Sequence, residues 1–454
     1  MINRKIYNRL ESLFGDRSRA ILVTGARQIG KTYAIRKVAK EQFKQVIEIN
    51  FLERPEAAEL FDKAHSAKDI LFRLTTITKR KIIPGKTLIF FDEVQACKEI
   101  VTAIKFLVEE GSCQYVLSGS LLGVELNDIR SVPVGYMTIL DMYPVDLEEF
   151  ALAIGISGEV LAHLRSCYEA EVPVDTFIHK RMIDLVTLYL MVGGMPAAVQ
   201  CYLDSSNMQE VSKRQSDIIR LYKKDIAQYN KSQKLQLEEI FDLIPSELNA
   251  KNKRFILKEM NRKARYEKYA EGFLWLKDAG VALPTYNVEA PQVPLLLNKQ
   301  HNLFKLFSND VGLLACQYAG DIQVQLLKGL TAINYGAIFE NLAAQELSAH
   351  GFAGDSRSLY YFNNKRQGEL DFVIEHNGKA IPIEIKSGKE YQRHNALNGV
   401  MQNGEYAIDQ AYVFCQGNIE RKDKVLYLPI YMLMFLQKPE PAPLTYTLDL
   451  TGLK

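Results

Sequence analysis

Long apolar runs, paired cysteines and a strong net charge are all missing from this sequence of 454 residues. No window approaches the roughly 18 uninterrupted apolar residues of a membrane span, so we expect no membrane partner. The six cysteines lie far apart and form no C-x-x-C pair, which argues against a zinc or redox motif. Because the formal net charge is only +2, any nucleic-acid binding would need a local basic patch.

The composition is that of a globular protein, with 47% hydrophobic and 24% charged residues. A chain of this length is expected to form about two to four domains. The first residues are polar and lack the apolar stretch of a signal peptide. We therefore expect a cytoplasmic protein with reduced thiols.

A complete phosphate-binding loop, G-A-R-Q-I-G-K-T, occupies residues 25–32. The apolar run 20–24 before it predicts a buried strand, and residues 31–40 after it predict a helix. In such a loop Lys31 reaches the β- and γ-phosphates and Thr32 ligates Mg²⁺. The expected nucleotide-binding residues are Gly25, Ala26, Arg27, Gln28, Ile29, Gly30, Lys31 and Thr32. The sequence therefore predicts a nucleoside triphosphate site.

A second apolar run, residues 87–91, ends in Asp92 and Glu93. After a phosphate loop, this pattern predicts that Asp92 holds Mg²⁺ and that Glu93 orients and deprotonates the attacking water. At the end of a further run, Ser118 or Ser120 is a candidate sensor of the γ-phosphate, with a turn residue as the equal alternative.

Strands and helices alternate along this region. Strands are predicted at 45–51 and 114–120, and helices at 67–80 and 96–110. This rhythm predicts an α/β fold with a parallel sheet between two layers of helices.

The C-terminal part has a different order of elements. A helix from 335 to about 348 precedes strands at 358–362, 368–374 and 380–386, a helical piece near 394–402 and a strand at 411–415. Period two puts Glu384 and Lys386 on one face of their strand, and Asp371 of the preceding strand can share that surface. Glu340 can join them from the helix.

Several stretches together resemble a group of prokaryotic AAA-type ATPases. They are GARQIGKT, LIFFDEVQ, YVLSGS, YPVDLEEF, GGMP and DVGLL, which run through most of the chain. The resemblance implies ATP as the nucleotide, an ATPase core over 1–150 and a helical lid over 151–235. It also implies a winged-helix-like domain over 236–290 and a restriction-endonuclease-like domain of unknown function over 291–454.

The ordered set Glu340, Asp371, Glu384 and Lys386 resembles the PD-(D/E)xK nuclease core. This likeness implies that the four residues are catalytic, with Asp371 and Glu384 holding a second divalent ion, Mg²⁺ or Mn²⁺. Domains of this fold also serve as binding modules without cleavage. Both alternatives stay open: a nuclease-like domain that acts on nucleic acid, and a regulatory NTPase switch with a non-cleaving platform for protein or DNA.

Two further features remain open at this stage. The basic segment 251–268 is either a DNA-backbone contact or a solvated helix face. Many relatives carry an arginine where this chain has Tyr136, so the charge-stabilising arginine is either Arg130 or one from a neighbouring subunit. The second case would require a homo-oligomer.

Overall fold

The structure is a computed structural model that describes residues 2–62, 66–119, 135–229, 234–250, 266–318, 335–354, 358–439 and 445–448. Within these ranges the strands form two sheets, one from the N-terminal part of the chain and one from the C-terminal part. Helices lie between the two sheets and on their faces.

The N-terminal sheet has five parallel strands in the order β2-β3-β4-β1-β5. They are β1 (Ala20–Thr24), β2 (Gln45–Asn50), β3 (Thr87–Asp92), β4 (Gln114–Ser118) and β5 (Met137–Asp141). Every residue of β1, β3 and β4 is buried. This burial explains their apolar sequences, because central strands of a parallel sheet are covered on both faces. The predicted α/β architecture with a parallel sheet is confirmed.

Helices cover both faces of this sheet. They are α1 (Lys5–Phe14), α2 (Lys31–Gln42), α3 (Ala67–Thr78) and α4 (Glu99–Glu110). Ile21 and Val23 of β1 belong to the same hydrophobic cluster as α1 and α2, whereas Ala20 and Leu22 belong to the cluster of α3 and α4. The alternation along β1 therefore assigns its side chains to opposite layers.

A helical region connects the two sheets. Its described helices are α5 (Leu147–Ala153), α6 (Gly158–Ala170), α7 (Thr176–Val192), α8 (Pro196–Ser205), α9 (Met208–Tyr229), α10 (Lys234–Asn249) and α11 (Tyr266–Asp278). One hydrophobic cluster runs from Ile21 of the first sheet through Leu190 of α7 to Phe372 of the second sheet. The parts of the chain therefore share a continuous core.

The second sheet has eight strands in the order β12-β13-β11-β10-β9-β8-β6-β7. They are β6 (Ala282–Val288), β7 (Lys299–Ser308), β8 (Leu359–Asn364), β9 (Gly368–His376), β10 (Lys379–Ile385), β11 (Ala411–Cys415), β12 (Glu420–Lys422) and β13 (Val425–Pro429). The strands of the C-terminal segment are found close to their predicted positions.

The pairing of β6 bears on the predicted domain boundary at 290. The winged-helix-like domain was expected to end at 290, but β6 pairs antiparallel with β7 and parallel with β8. The expected boundary between 290 and 291 therefore falls within one sheet. Local sequence identifies β6 as a strand, but its partners lie further along the chain.

Helices also cover the second sheet on two sides. Helix α12 (Val311–Gln317) follows β7, α13 (Tyr335–Ala349) precedes β8, and α14 (Asn395–Gln402) lies between β10 and β11. Leu342 of α13 shares a cluster with Phe372, whereas Leu397 of α14 shares another with Val373. The consecutive residues 372 and 373 thus face opposite layers, as period two requires.

The described helices are short or polar relative to a membrane span. No single helix in the described ranges is both long and apolar enough to cross a membrane. Helices α7 and α8 reach the necessary length and apolar composition only when they are taken together, and the chain bends by 118° between them.

Candidate functional site

The first candidate site is the glycine-rich turn between β1 and α2. Gly25 has a φ of +127° and Gly30 a φ of +92°, which glycine tolerates best. A β-carbon on Gly25 would lie 2.2 Å from the carbonyl oxygen of Met142, so a larger residue does not fit. Because α2 begins directly after the turn, its first N–H groups are available to an anion there.

Lys31, the first residue of α2, lies inside this turn and is only 8% exposed. Its Nζ donates hydrogen bonds to the carbonyl oxygens of Gly25, at 2.9 Å, and Ala26, at 2.8 Å. Burial lowers the pKa of Lys31 to about 8, although the carboxylates of Glu93 and Asp92 oppose the shift. The ammonium group is therefore held against the loop, where a bound phosphate needs a cation.

Asp92 receives hydrogen bonds from three other elements at the carboxyl end of the sheet. Thr32 Oγ1 donates to Asp92 Oδ2 at 3.0 Å, and Asn50 Nδ2 donates to the same oxygen at 3.3 Å. The Ser118 hydroxyl donates to the other carboxylate oxygen. Burial raises the pKa of Asp92, and the hydrogen bonds from Ser118 and Thr32 oppose this. Strands β2, β3 and β4 and helix α2 thus meet at one carboxylate.

Glu93 is held beside Asp92 by its backbone and by its side chain. It has a left-handed backbone with a φ of 55°, which is uncommon outside glycine. Its N–H donates to Asp92 Oδ1 at 3.1 Å, and Gln95 Nε2 donates to Glu93 Oε2 at 2.5 Å.

Thr32 and Asp92 present a hydroxyl and a carboxylate oxygen 3.0 Å apart. Mg²⁺ prefers oxygen ligands, keeps several waters and is usually bound through one or two carboxylates together with substrate phosphates. This pair fits a Mg²⁺ ion that arrives with a nucleotide. In the ranges that the structure covers, no group of three or more His, Cys, Asp and Glu side chains is arranged to hold a metal ion by itself.

Sequence reasoning did not identify Asn50. The signal was available, because Asn50 ends β2 and pairs in register with Asp92, and carboxyl ends of parallel strands meet at one edge. Ser120, one of the two candidate sensors of the γ-phosphate, lies outside the described residues. Its alternative, Ser118, is fully buried against Asp92.

The loop also contacts parts of the chain that are distant in sequence. Arg27 forms an ion pair with Asp225 of α9 at 2.6 Å, and the Tyr222 hydroxyl donates to the Arg27 carbonyl oxygen at 3.2 Å. A β-carbon on Gly280 would lie 2.9 Å from the backbone nitrogen of Ala26. The segment before β6 therefore lies directly against the phosphate loop.

An apolar cavity opens beside Gly30. It is lined by Ile2, Tyr7, Ile29, Tyr33, Ala34, Met142 and Pro196, with Arg4 and Gln200 as polar members. The N-terminal segment, the loop, α2 and α8 all contribute to it. Its lining suits a flat, apolar ring with polar edges.

The second candidate site is the predicted C-terminal set of residues, which the structure brings together. Glu340 on α13, Asp371 on β9 and Glu384 on β10 are all buried. Lys386 Nζ lies 2.8 Å from Glu384 Oε2, and Asp371 Oδ2 accepts a hydrogen bond from Ile385 N at 2.8 Å. Burial, followed by repulsion from Asp371, raises the pKa of Glu384 to about 8, although Lys386 opposes the shift.

Sequence reasoning missed a fifth member of this cluster, Lys305 of β7. Its Nζ lies 2.6 Å from Glu369 Oε1 and 3.6 Å from Glu340 Oε2, and its side chain is fully buried. Burial lowers its pKa, but the neighbouring carboxylates outweigh that effect and raise the pKa above its ordinary value. The sequence Leu-Phe-Lys-Leu-Phe surrounds Lys305 with apolar residues but does not show its partners, because Glu340 and Glu369 lie further along the chain.

The basic segment 251–268 is mostly beyond the described ranges. The structure describes only residues 266–268 of it, as the first turn of α11. The predicted nucleic-acid contact through this segment stays a prediction.

Comparisons with protein families cover most of the chain in three parts. Residues 17–151 match the model of an AAA domain. Residues 183–322 and 335–433 match two domains of unknown function, DUF8612 and DUF4143. A comparison with curated proteins found no match.

Solved structures with some similarity include three proteins. The Walker-type ATPase PABY2304 of Pyrococcus abyssi is 14% identical, with a TM-score of 0.41, over 70% of this chain and 96% of that one. PCH-2 of C. elegans is 12% identical, with a TM-score of 0.27, over 46% and 65%. A single-residue variant of RuvB from Thermotoga maritima is 14% identical, with a TM-score of 0.29, over 65% and 91%.

The family match and the geometry of the first site agree. The AAA match begins just before β1 and ends within α5, so it contains the phosphate loop, Asp92 and Glu93. Residues 17–151 of this chain are therefore an AAA-type P-loop ATPase domain, a class that uses ATP and Mg²⁺.

Proposed function

We propose that this chain is a Mg²⁺-dependent ATP hydrolase whose nucleotide state alters the C-terminal part of the molecule. The observation that carries the proposal is the junction of Thr32 and Asp92, hydrogen-bonded at 3.0 Å beside the glycine-rich turn. In this proposal the backbone of residues 25–30 surrounds the phosphates, and Lys31 turns from the loop carbonyls to the β- and γ-phosphates.

Thr32 and Asp92 would hold the Mg²⁺ ion, which neutralises charge on the phosphates. Glu93 orients the attacking water and accepts its proton. Ser118 or Ser120 senses the γ-phosphate. The apolar cavity around Tyr33 and Pro196 receives the adenine, with Gln200 available for its polar edge.

Removal of Mg²⁺ is the first test of this function. Phosphate release from ATP is expected with Mg²⁺, should stop when EDTA is added and should return when Mg²⁺ is restored, because Thr32 and Asp92 offer oxygens to an ion that neutralises charge on the phosphates. The measurement is continuous detection of phosphate released by the full chain. Turnover that is indifferent to EDTA would contradict the proposal.

The path proposed for the nucleotide signal runs through Tyr222 and Asn309. Tyr222 donates to the Arg27 carbonyl oxygen, and Asn309 Nδ2 donates to the Tyr222 hydroxyl at 3.3 Å. Asn309 directly follows β7 and precedes Asp310, the N-cap of α12. A shift of the phosphate loop on ATP binding would therefore displace Asn309, at the end of β7 in the second sheet.

For the C-terminal domain, we propose a non-cleaving platform of PD-(D/E)xK-like architecture. Two observations favour it over a nuclease: Lys386 is bound to Glu384 at 2.8 Å, and the buried Lys305 lies among the acids. The proposed partner is DNA or another nucleic acid, contacted through the 251–268 segment and this domain. A cytoplasmic location and a homo-oligomer with a shared arginine finger remain part of the proposal.

A further inference from the structure

The acidic cluster of the C-terminal domain gathers four carboxylates from three elements. Glu340 comes from α13, Glu369 and Asp371 from β9, and Glu384 from β10. Three of them are buried, so their charge is poorly solvated and needs compensation from inside the protein. A nuclease of this fold would compensate it with one or two divalent ions.

Here a side chain of the protein is already in that position. The side chain of Lys305 is 0% exposed, and its Nζ contacts Glu369 at 2.6 Å and Glu340 at 3.6 Å. The ammonium group also lies 4.9 Å from the centre of the Tyr361 ring, a favourable cation–π distance. A buried lysine is retained only where its charge is paired, and these carboxylates provide the pairing.

The other two carboxylates, Asp371 and Glu384, also have partners within the protein. Glu384 is bound to Lys386, and Asp371 Oδ2 accepts the backbone N–H of Ile385. A divalent ion would have to enter beside two ammonium groups, which repel it. Since the described residues also contain no metal-holding group of His, Cys, Asp and Glu, the second ion implied by the nuclease resemblance does not fit this site.

We infer that the Lys305 ammonium is the resident cation of this cluster and takes the place of the divalent ion that a nuclease of this fold would bind. The inference rests on the proposed non-cleaving role of the C-terminal domain and extends it. The lysine neutralises the carboxylates whether or not a metal ion is available. It is therefore a structural cation, and the domain is independent of Mg²⁺ and Mn²⁺.

The test is a titration of the full chain with Mn²⁺ in the absence of nucleotide. Electron paramagnetic resonance measures how much Mn²⁺ is bound. An Asp92→Asn background removes the carboxylate proposed for the other metal site. The expected result is no bound Mn²⁺ at the C-terminal cluster. One bound Mn²⁺ per chain that disappears with Asp371→Asn would overturn the inference. Because no ATP is present, this outcome does not depend on whether the chain hydrolyses ATP.

A second variant asks whether Lys305 is what excludes the metal. In the same background, Lys305→Ala is expected to lower the melting temperature and to bind about one Mn²⁺ per chain, with Mn²⁺ raising the melting temperature again. Lys299→Ala, on the same strand and over the Tyr286 ring, is the matched control and should gain no Mn²⁺. If Lys305→Ala is folded, gains no Mn²⁺ and melts like the control, the inference is wrong. If it does not fold, the titration of the Asp92→Asn chain still decides.

Discussion

Replacement of Glu93 by glutamine is expected to lower kcat for ATP hydrolysis by about 100- to 10,000-fold, the usual contribution of a general base. The amide keeps the shape of the side chain and can still accept a hydrogen bond from Gln95, but it cannot take a proton from water. The residue sits in a left-handed turn directly after Asp92, so its backbone N–H bond to that carboxylate should survive. ATP is therefore expected to bind with nearly unchanged affinity.

The measurement pairs steady-state phosphate release with equilibrium binding of ATP. Glu53→Gln is the matched control, because Glu53 is an exposed glutamate soon after β2. The hydrogen bonds described above for Asp92 and Thr32 do not include Glu53. Normal turnover by the Glu93 variant would remove this residue from the mechanism. Loss of ATP binding would instead assign it a structural role.

Replacement of Lys31 by alanine is expected to weaken ATP binding by about 100-fold in Kd. The loss corresponds to about 3 kcal/mol, the size of one or two hydrogen bonds to a charged group. The Lys31 Nζ lies within the loop, where it donates hydrogen bonds to the carbonyl oxygens of Gly25 and Ala26. It exchanges these two carbonyls for phosphate oxygens at little cost in side-chain freedom.

The pH dependence of binding provides an internal check on Lys31. Burial lowers its pKa to about 8, so the protonated form is complete below that pH and is lost above it. Phosphate binds the protonated form, so ATP affinity should fall as the pH rises through 8 in the wild type. The Lys31→Ala variant should lack this part of the pH profile. Lys40→Ala, an exposed lysine on the same helix, should behave as the wild type.

The sequence predicts the strand and the helix around the first site because their signals are local. The strand at 20–24, the glycine-rich turn and the helix after it are consecutive, and the structure has them at Ala20–Thr24 and from Lys31. Asp92 is marked by the fully buried strand that it ends. Each of these features is determined by neighbours in sequence, so it can be read without knowledge of the fold.

The features that sequence reasoning missed depend on contacts between distant residues. β6 looks like the wing of a small domain until its pairing with β8 is known. Lys305 stands among apolar residues in the sequence, and its partners Glu340 and Glu369 come from later elements of the fold. The C-terminal acids are predicted because their order along the chain resembles the PD-(D/E)xK core. That order contains no position for Lys305, so the lysine is not predicted.

We propose that ATP at the phosphate loop changes the second sheet. The contacts that would carry the change are the Tyr222 hydroxyl between Arg27 and Asn309, and the close approach of Gly280 to Ala26. Asp310, next to Asn309, in turn accepts the N–H of Gly194 at 2.6 Å. The turn between α7 and α8 thus contacts the chain one residue away from the proposed path.

Amide hydrogen exchange over residues 309–317 tests this claim most directly, with the Glu93→Gln variant holding Mg²⁺-ATP. We expect ATP to change the rate of amide exchange in this segment. Adding Tyr222→Phe should remove most of that change while ATP still binds. Tyr431→Phe, which loses a buried hydroxyl bound to His179 instead, should leave the response intact. Exchange over 309–317 that is the same with and without ATP, or a full response in the Tyr222 variant, would contradict the account.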